Sequence, residues 1–463
     1  MSELWRSEAI AIATGGSASA DFSISGVAFD SREIGPGDLF IAMKGEATDG
    51  HRFVEQAFAS GAAGAIVSDP VDHPHVLVAD TTAALDALGV ASRARSTAKI
   101  AGVTGSVGKT GTKEALFAAL DRHVPGRAHR SVKSYNNHTG VPLSLARMPE
   151  DTRFGIFEMG MSAAGELAAL TRLVRPHVAI VTAIAPAHQA YFHSIEAIAD
   201  AKGEIFQGLE PGGTAIIPFD SPWRDRLIAA AEPHAARILT FGHGVGADVR
   251  ARDVVRAANG GSLVTANFPE AELCFTIAFP GEHWVSNALA VLAAVEALGG
   301  DLAQAGLALA DLEGLAGRGA RHRVAVKDGS ALVIDESYNA NPASMAATIR
   351  QLGKEEAERR IVVLGAMREL GQESDRYHAE LAEPLAEANV DLALLVGDEM
   401  RPLAKALEGR IEFVQMPDAA GALERLSQIL MPGDAVLIKG SNAIGLSRVV
   451  DSLVAGALGG RTD

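Results

Sequence analysis

Short apolar runs alternate with longer Ala- and Leu-rich stretches of helical period along most of the chain, a pattern that predicts strands and helices in turn. In residues 1–97, Asp38-Leu39-Phe40-Ile41-Ala42 and Gly64-Ala65-Ile66-Val67 read as strands. Phe53 to Gly61 reads as a helix ended by glycine, and Thr82 to Ala94 as a longer helix. Arg95-Ser96-Thr97 turns polar and reads as a linker.

A new apolar strand, Lys99-Ile100-Ala101-Gly102-Val103, then feeds a glycine turn and a helix. Further apolar strands follow at Phe154-Gly155-Ile156-Phe157, Val178-Ala179-Ile180-Val181 and Gly213-Thr214-Ala215-Ile216-Ile217, separated by Ala-rich helical patterns. Such alternation implies βαβ units and a largely parallel sheet covered by helices. Asp248 to Phe279 is richer in short alternating strands and reads as an antiparallel excursion. A glycine-rich break at Gly314–Gly319 precedes four more apolar strands, at Ala331–Ile334, Ile361–Leu364, Leu392–Val396 and Ala435–Ile438. These predict a smaller, doubly wound, Rossmann-like domain. The expected architecture is α/β in three domains, 1–97, 98–316 and 317–463, with the active site where domains meet.

Composition narrows the classes. With 48% hydrophobic and 21% charged residues, the 463-residue chain reads as folded and multidomain. Its 41 basic and 57 acidic side chains leave a formal charge of −16, which argues against general nucleic-acid binding but not against a small anionic ligand. The single cysteine, Cys274, excludes a disulfide framework and a Cys-rich zinc site. The N-terminal residues show no signal-peptide pattern and no run is long and apolar enough to span a membrane, so a cytoplasmic location is expected.

The strongest local signal is Val103-Thr104-Gly105-Ser106-Val107-Gly108-Lys109-Thr110-Gly111-Thr112. A strand ends, glycines turn the chain, and a helix begins, so backbone N–H groups and the helix N-terminus converge where a polyphosphate can sit. In that role Lys109 neutralises the β- and γ-phosphates and the Thr110 hydroxyl ligates Mg²⁺. Val103 stands where the strict phosphate-loop spacing requires glycine, so the loop is a variant form, and the central sheet is expected to be of P-loop type.

Glu158 closes the strand beginning at Phe154, a position where the metal of a bound nucleotide would lie; read alone, it also suits a solvated strand end. His188, in Ala185-Pro186-Ala187-His188, follows another strand, although a lone loop histidine is commonly structural or exposed. Lys202 lies on a helix capped by Ser194, and sequence physics alone makes it a surface lysine.

Together the Thr-Gly-Ser-x-Gly-Lys-Thr loop, Glu158, His188 and Lys202-Gly203-Glu204 resemble the Mur ligase family, ATP-dependent amide-forming enzymes of cell-wall precursor synthesis. The resemblance covers essentially the whole chain. It implies that Lys202 is carbamylated and, as an anion, helps hold Mg²⁺ with Thr110, Glu158 and His188. Asp30-Ser31-Arg32, with Pro36–Ala42 and Asp49-Gly50-His51, resembles the family's N-terminal uridine-nucleotide-binding segment. Asn136-Asn137-His138-Thr139-Gly140-Val141-Pro142 resembles a substrate-side loop. Asp335-Glu336-Ser337-Tyr338-Asn339-Ala340-Asn341-Pro342 is the most specific segment. With Gly365–Gly371 and His378, it resembles the member joining D-alanyl-D-alanine to UDP-N-acetylmuramoyl-tripeptide.

The resemblance implies that Gly105 through Gly111, His283, Asn287, Arg318, Asp335, Tyr338 and Asn339 bind ATP. It implies that Asp30, Ser31, Arg32, Asn136, Asn137 and Asn341 face the substrates, with Lys109, Glu158, His188, Lys202 and Arg318 carrying catalysis. Without the family, His283 and Asn287 read as helix-start polar residues and Arg318 as a linker arginine. Val107, Gly111 and Asn442 depart from the family pattern. A monomer is expected. The alternatives are a sister ligase adding a diamino acid, a folylpolyglutamate synthetase-like enzyme, or a non-catalytic nucleotide-binding protein.

Overall fold

The computed structural model describes residues 3–45, 48–186, 192, 194–258 and 260–456. Among the described residues, strands form a two-, a five-, a nine- and a six-stranded sheet. The five-stranded sheet is built before residue 78, with the strands Gly26–Ala28, Asp38–Ile41, Gly64–Val67 and His75–Leu77 parallel.

In the nine-stranded sheet, Lys99–Thr104 lies between Val178–Val181 and Phe154–Glu158 and is parallel to both. Lys99–Thr104 and Phe154–Glu158 are buried on both faces, apart from Lys99, which suits a sheet covered by helices. Parallel alignment brings the chain ends after Thr104, Glu158 and Val181 to one edge, where α/β folds place ligands. The strands Val249–Arg256, Ser262–Asn267 and Glu272–Ile277 form the antiparallel excursion.

The six-stranded sheet contains the four strands expected from sequence and two others, Ala320–Val326 and Glu412–Met416. Ala320–Val326 reads Ala-Arg-His-Arg-Val-Ala-Val, pairs antiparallel with Gly329–Glu336 and exposes alternate residues. An edge strand with one wet face carries little apolar signal.

The polar triplet 95–97 is not a free linker. The preceding helix runs through Thr81–Arg95, and Arg93 is buried, donating to the carbonyls of Val174 and Arg175 at 2.8 and 2.9 Å. Arg95 stacks 3.5 Å over Trp5, whose indole N–H donates to the Ala146 carbonyl at 3.0 Å. Leu143 and Ala146 share one core with Trp5, Leu85 and Leu88, so apolar packing continues across this junction. Arg95 looks polar in sequence because the ring it packs on, Trp5, is remote in the chain.

Candidate active site

The phosphate loop is held on one side and open on the other. Ser106 donates its N–H to Ala183 O at 2.8 Å, the Thr182 hydroxyl donates to Val107 O at 2.5 Å, and Ala185 N–H donates to Ser106 Oγ at 3.0 Å. A Cβ at Gly105 would lie 1.9 Å from Thr182 Oγ1, so no larger residue fits. Gly108 turns at φ +85°, starting the helix Lys109–His123, whose first N–H groups have no intrahelical acceptor. These donors line a cavity of about 810 Å³ between the central and C-terminal sheets. Lys109 donates to Gly105 O at 2.8 Å, and burial lowers its pKa against the opposing pull of Glu158.

Glu158, 1% exposed, accepts from the Thr110 hydroxyl and from Asn136 Nδ2, each at 2.8 Å. Lys202 lines the same cavity and is also 1% exposed, contrary to the surface lysine read from sequence. Burial, then the charge of Lys109, pushes its pKa well below the ordinary lysine value. The helix Ile195–Gly203 places it there, with Ser194 accepting from Ala197 N–H at the helix start. A hydroxyl and a carboxylate are hard oxygen donors of the kind that hold Mg²⁺, whereas an unmodified amine is a poor ligand for it. His188 lies outside the described residues.

The C-terminal sheet supplies the opposite wall. Arg318 reaches Ser134 Oγ at 3.2 Å, stacks 4.1 Å over the Tyr338 ring, and so touches the loop that carries Asn136. Ser134 lies 3.4 Å from the Thr110 hydroxyl, linking Arg318 to the Glu158 carboxylate through Thr110. Lys439 pairs with Glu336 at 3.4 Å and donates to Asn339 O at 2.9 Å. Burial raises the Glu336 carboxyl and lowers the Lys439 ammonium.

Residues 103–295 match the Mur ligase middle domain, 321–442 the Mur ligase glutamate ligase domain, and 23–124 the Mur ligase family catalytic domain. The chain is 31% identical over 455 residues to UDP-N-acetylmuramoyl-tripeptide–D-alanyl-D-alanine ligase of Rickettsia prowazekii, covering 97% of this chain and 99% of that protein. The chain belongs to the Mur ligase family. A crystal structure of MurF from Acinetobacter baumannii superposes with TM-score 0.83 at 31% identity, covering 97% of this chain and 99% of that one. MurF ligase from Thermotoga maritima, solved in complex with ADP, superposes with TM-score 0.75 at 26% identity, covering 93% and 97%.

Within this Mur ligase, the cavity gathers Ser106 to Gly111, Asn136, Asn137, Glu158, Lys202, His283, Asn287, Arg318, Tyr338, Asn339 and Asn341. His283 and Asn287 share a face of the helix Glu282–Ala297, and loss of hydration holds His283 at about 4. Asn341 also caps the helix Pro342–Leu352, accepting from Ser344 N–H at 2.9 Å, so its carbonyl oxygen is engaged in the fold.

Two groups of the expected residues lie outside this cavity. Asp335 does not line the cavity: its carboxylate accepts from Gly317 N–H at 2.6 Å and from the Ser337 N–H and hydroxyl. It shapes the turn beside Arg318, and its neighbour Glu336 faces the cavity instead. Asp30, Ser31 and Arg32 also lie outside the lining. Asp30 pairs with Arg32 at 2.6 Å, which holds its pKa down to about 2, and Ser31 donates to Gln56 at 3.2 Å. The adjoining Glu33 accepts from Lys133 at 2.5 Å and Tyr135 at 2.9 Å, tying this segment to the Asn136 loop.

Val107 and Gly111 line the cavity, whereas Asn442 is exposed and outside it. Ser134, Glu336 and Lys439 were absent from the sequence-derived site. The strand-end position that singled out Glu158 applies to Glu336 and Lys439 too, but nothing local marks Ser134.

Proposed function

We propose that this chain joins D-alanyl-D-alanine to UDP-N-acetylmuramoyl-tripeptide at the expense of ATP, giving the pentapeptide precursor of peptidoglycan. The supporting observation is the gathering of Lys109, Thr110, Glu158, Lys202 and Arg318 around one cavity, in a chain similar over nearly its full length to ligases of that name. The reading takes residues 1–97 as the precursor-binding domain, 98–316 as the ATP-binding domain and 317–463 as the closing domain, in a cytoplasmic monomer.

The terminal carboxylate of the tripeptide attacks the γ-phosphorus of ATP, ADP leaves, and an acyl phosphate forms. The free amine of the dipeptide then attacks the acyl carbon; the tetrahedral intermediate loses a proton and expels phosphate. Charge neutralisation and alignment dominate such a transfer. The loop N–H groups and Lys109 hold the phosphates, and Arg318 meets the γ-phosphoryl group from the opposite wall. Asn136 orients the Glu158 carboxylate.

Thr110 and Glu158 would hold Mg²⁺, which when bound offsets phosphate charge. His188 joins the set by resemblance. A buried lysine whose charged form is disfavoured presents a nucleophilic amine, so Lys202 is suited to add CO₂ and become a carbamate, a further oxygen donor.

Phosphate release with Mg-ATP, the tripeptide precursor and D-alanyl-D-alanine, omitting each in turn, tests the reading. Release requiring all three, with the precursor gaining one dehydrated dipeptide by mass spectrometry, is expected. ATP binding without ligation, or ligation of a diamino acid to the dipeptide precursor, overturns it.

A further inference from the structure

The benzo edge of Trp284 stands between Gly111, which lines the cavity, and Gly319, which directly follows the cavity-lining Arg318. Trp284 lies in the first turn of the helix Glu282–Ala297, and its ring packs on Phe279 with centroids 4.6 Å apart. It is also seated against the apolar core of the central sheet, which limits how far the ring can retreat. A Cβ at Gly111 would lie 3.3 Å from the indole Cη2, and one at Gly319 would lie 3.7 Å from Cζ2 and 3.9 Å from Nε1.

These two glycines have specific neighbours. Gly111 is in the first turn of the phosphate-loop helix, two residues after Lys109. Gly319 directly follows Arg318, and its N–H donates to Asp335 O at 2.8 Å. The rigid indole therefore fills the gap between the helix that cradles phosphate and the segment that carries the arginine. Ser134 and Tyr338 hold the far end of Arg318, at 3.2 and 4.1 Å, while the indole backs the segment behind it.

We propose that Trp284 is a positioning residue, a spacer that sets the distance from the phosphate-loop helix to Arg318 and so couples the loop to the guanidinium across the cavity. Gly111, one of the departures from the family pattern, sits at the same contact: a Cβ there would meet the indole at 3.3 Å, closer than side chains usually pack. The proposal rests on the reading that Arg318 meets the transferring phosphoryl group.

The test is a kinetic double-mutant cycle on the full chain, with phosphate release at saturating substrates. Trp284→Ala should lower kcat about tenfold, since a misplacement near 1 Å costs that order or more, and leave KM for D-alanyl-D-alanine nearly unchanged. In an Arg318→Ala background the same change should cost less than about twofold, because the residue it positions is gone. Losses that multiply overturn the proposal while leaving the reading of Arg318 intact. Full activity of Arg318→Ala alone overturns that reading, and the proposal with it.

Gly111→Ser provides a second cycle that leaves the indole in place. It should lower kcat in the wild-type background by several-fold more than it does beside Trp284→Ala. An equal cost in both backgrounds overturns the spacer. Trp284→Phe, which keeps the ring packed on Phe279 and shortens the edge, should fall between wild type and alanine. It carries the cycle if thermal melting shows that the alanine variant does not fold, and a kcat equal to wild type would then overturn the proposal.

Discussion

Thr110 donates its hydroxyl to Glu158 Oε2 at 2.8 Å, so the first turn of the phosphate-loop helix and the end of the neighbouring strand share one hydrogen bond. The parallel register that pairs Glu158 with Val103 places the carboxylate beside the loop. Glu158→Gln preserves shape and removes the charge. It should lower kcat by about 10²–10³-fold, with the thermal midpoint little changed. Phosphate release across a magnesium titration checks this, and wild-type behaviour would remove Glu158 from the metal set.

Lys202→Ala should lose most activity, on the order of 10²-fold, and regain part of it with added formate or acetate, which restores an anion. The folded pKa is depressed, so the unfolded chain binds the proton first as pH falls below the ordinary lysine value. The unmodified lysine therefore costs stability progressively as pH falls toward its folded pKa. Native mass spectrometry should show one added CO₂ on the wild type and none on the variant. An unmodified but fully active wild type would sink the carbamate.

The His129 Nε2–H donates to Ser144 O at 2.8 Å, and loss of hydration lowers the ring's pKa from 6.5 to about 4. His283 is lowered to about 4 for the same reason. Both stay neutral in the fold while the unfolded chain takes up protons, so stability falls as pH drops from 6.5 through 4, by up to about 3 kcal/mol per group. In NMR titrations their imidazole signals should hold steady between pH 8 and 5.5. A midpoint near 6.5 for either ring would contradict this.

Asp434, 2% exposed, accepts from Arg359 Nε and Nη2 at 2.8 and 2.7 Å and from Met431 N–H at 2.8 Å. Asp434→Ala leaves the guanidinium with only the Ile429 carbonyl and the Met431 N–H without its acceptor, just before the strand Asp434–Lys439. It should cost roughly 3 kcal/mol in urea unfolding, with kcat unchanged in the remaining folded enzyme. A loss below about 1 kcal/mol would show the pair to be solvated.

The strands, the phosphate loop and the C-terminal doubly wound sheet were legible because their signals are local. A buried parallel strand is a continuous apolar run, and a phosphate turn needs glycines and a helix start within a few residues. Lys109, Thr110 and Glu158 follow from that pattern. Lys202, by contrast, sits on an ordinary helix, and only packing against the central sheet makes it a buried amine.

The same division runs through the rest of the site. Sequence by itself determined the buried parallel strands and which of their ends carry charged side chains. Tertiary structure alone decided that Asp335 turns inward while Glu336 faces the cavity, and that Ser134 stands between Thr110 and Arg318. It also decided that Trp284 fills the space beside Gly111. Each of these depends on contacts between segments far apart in the chain, and no local spacing rule encodes the distance between two domains.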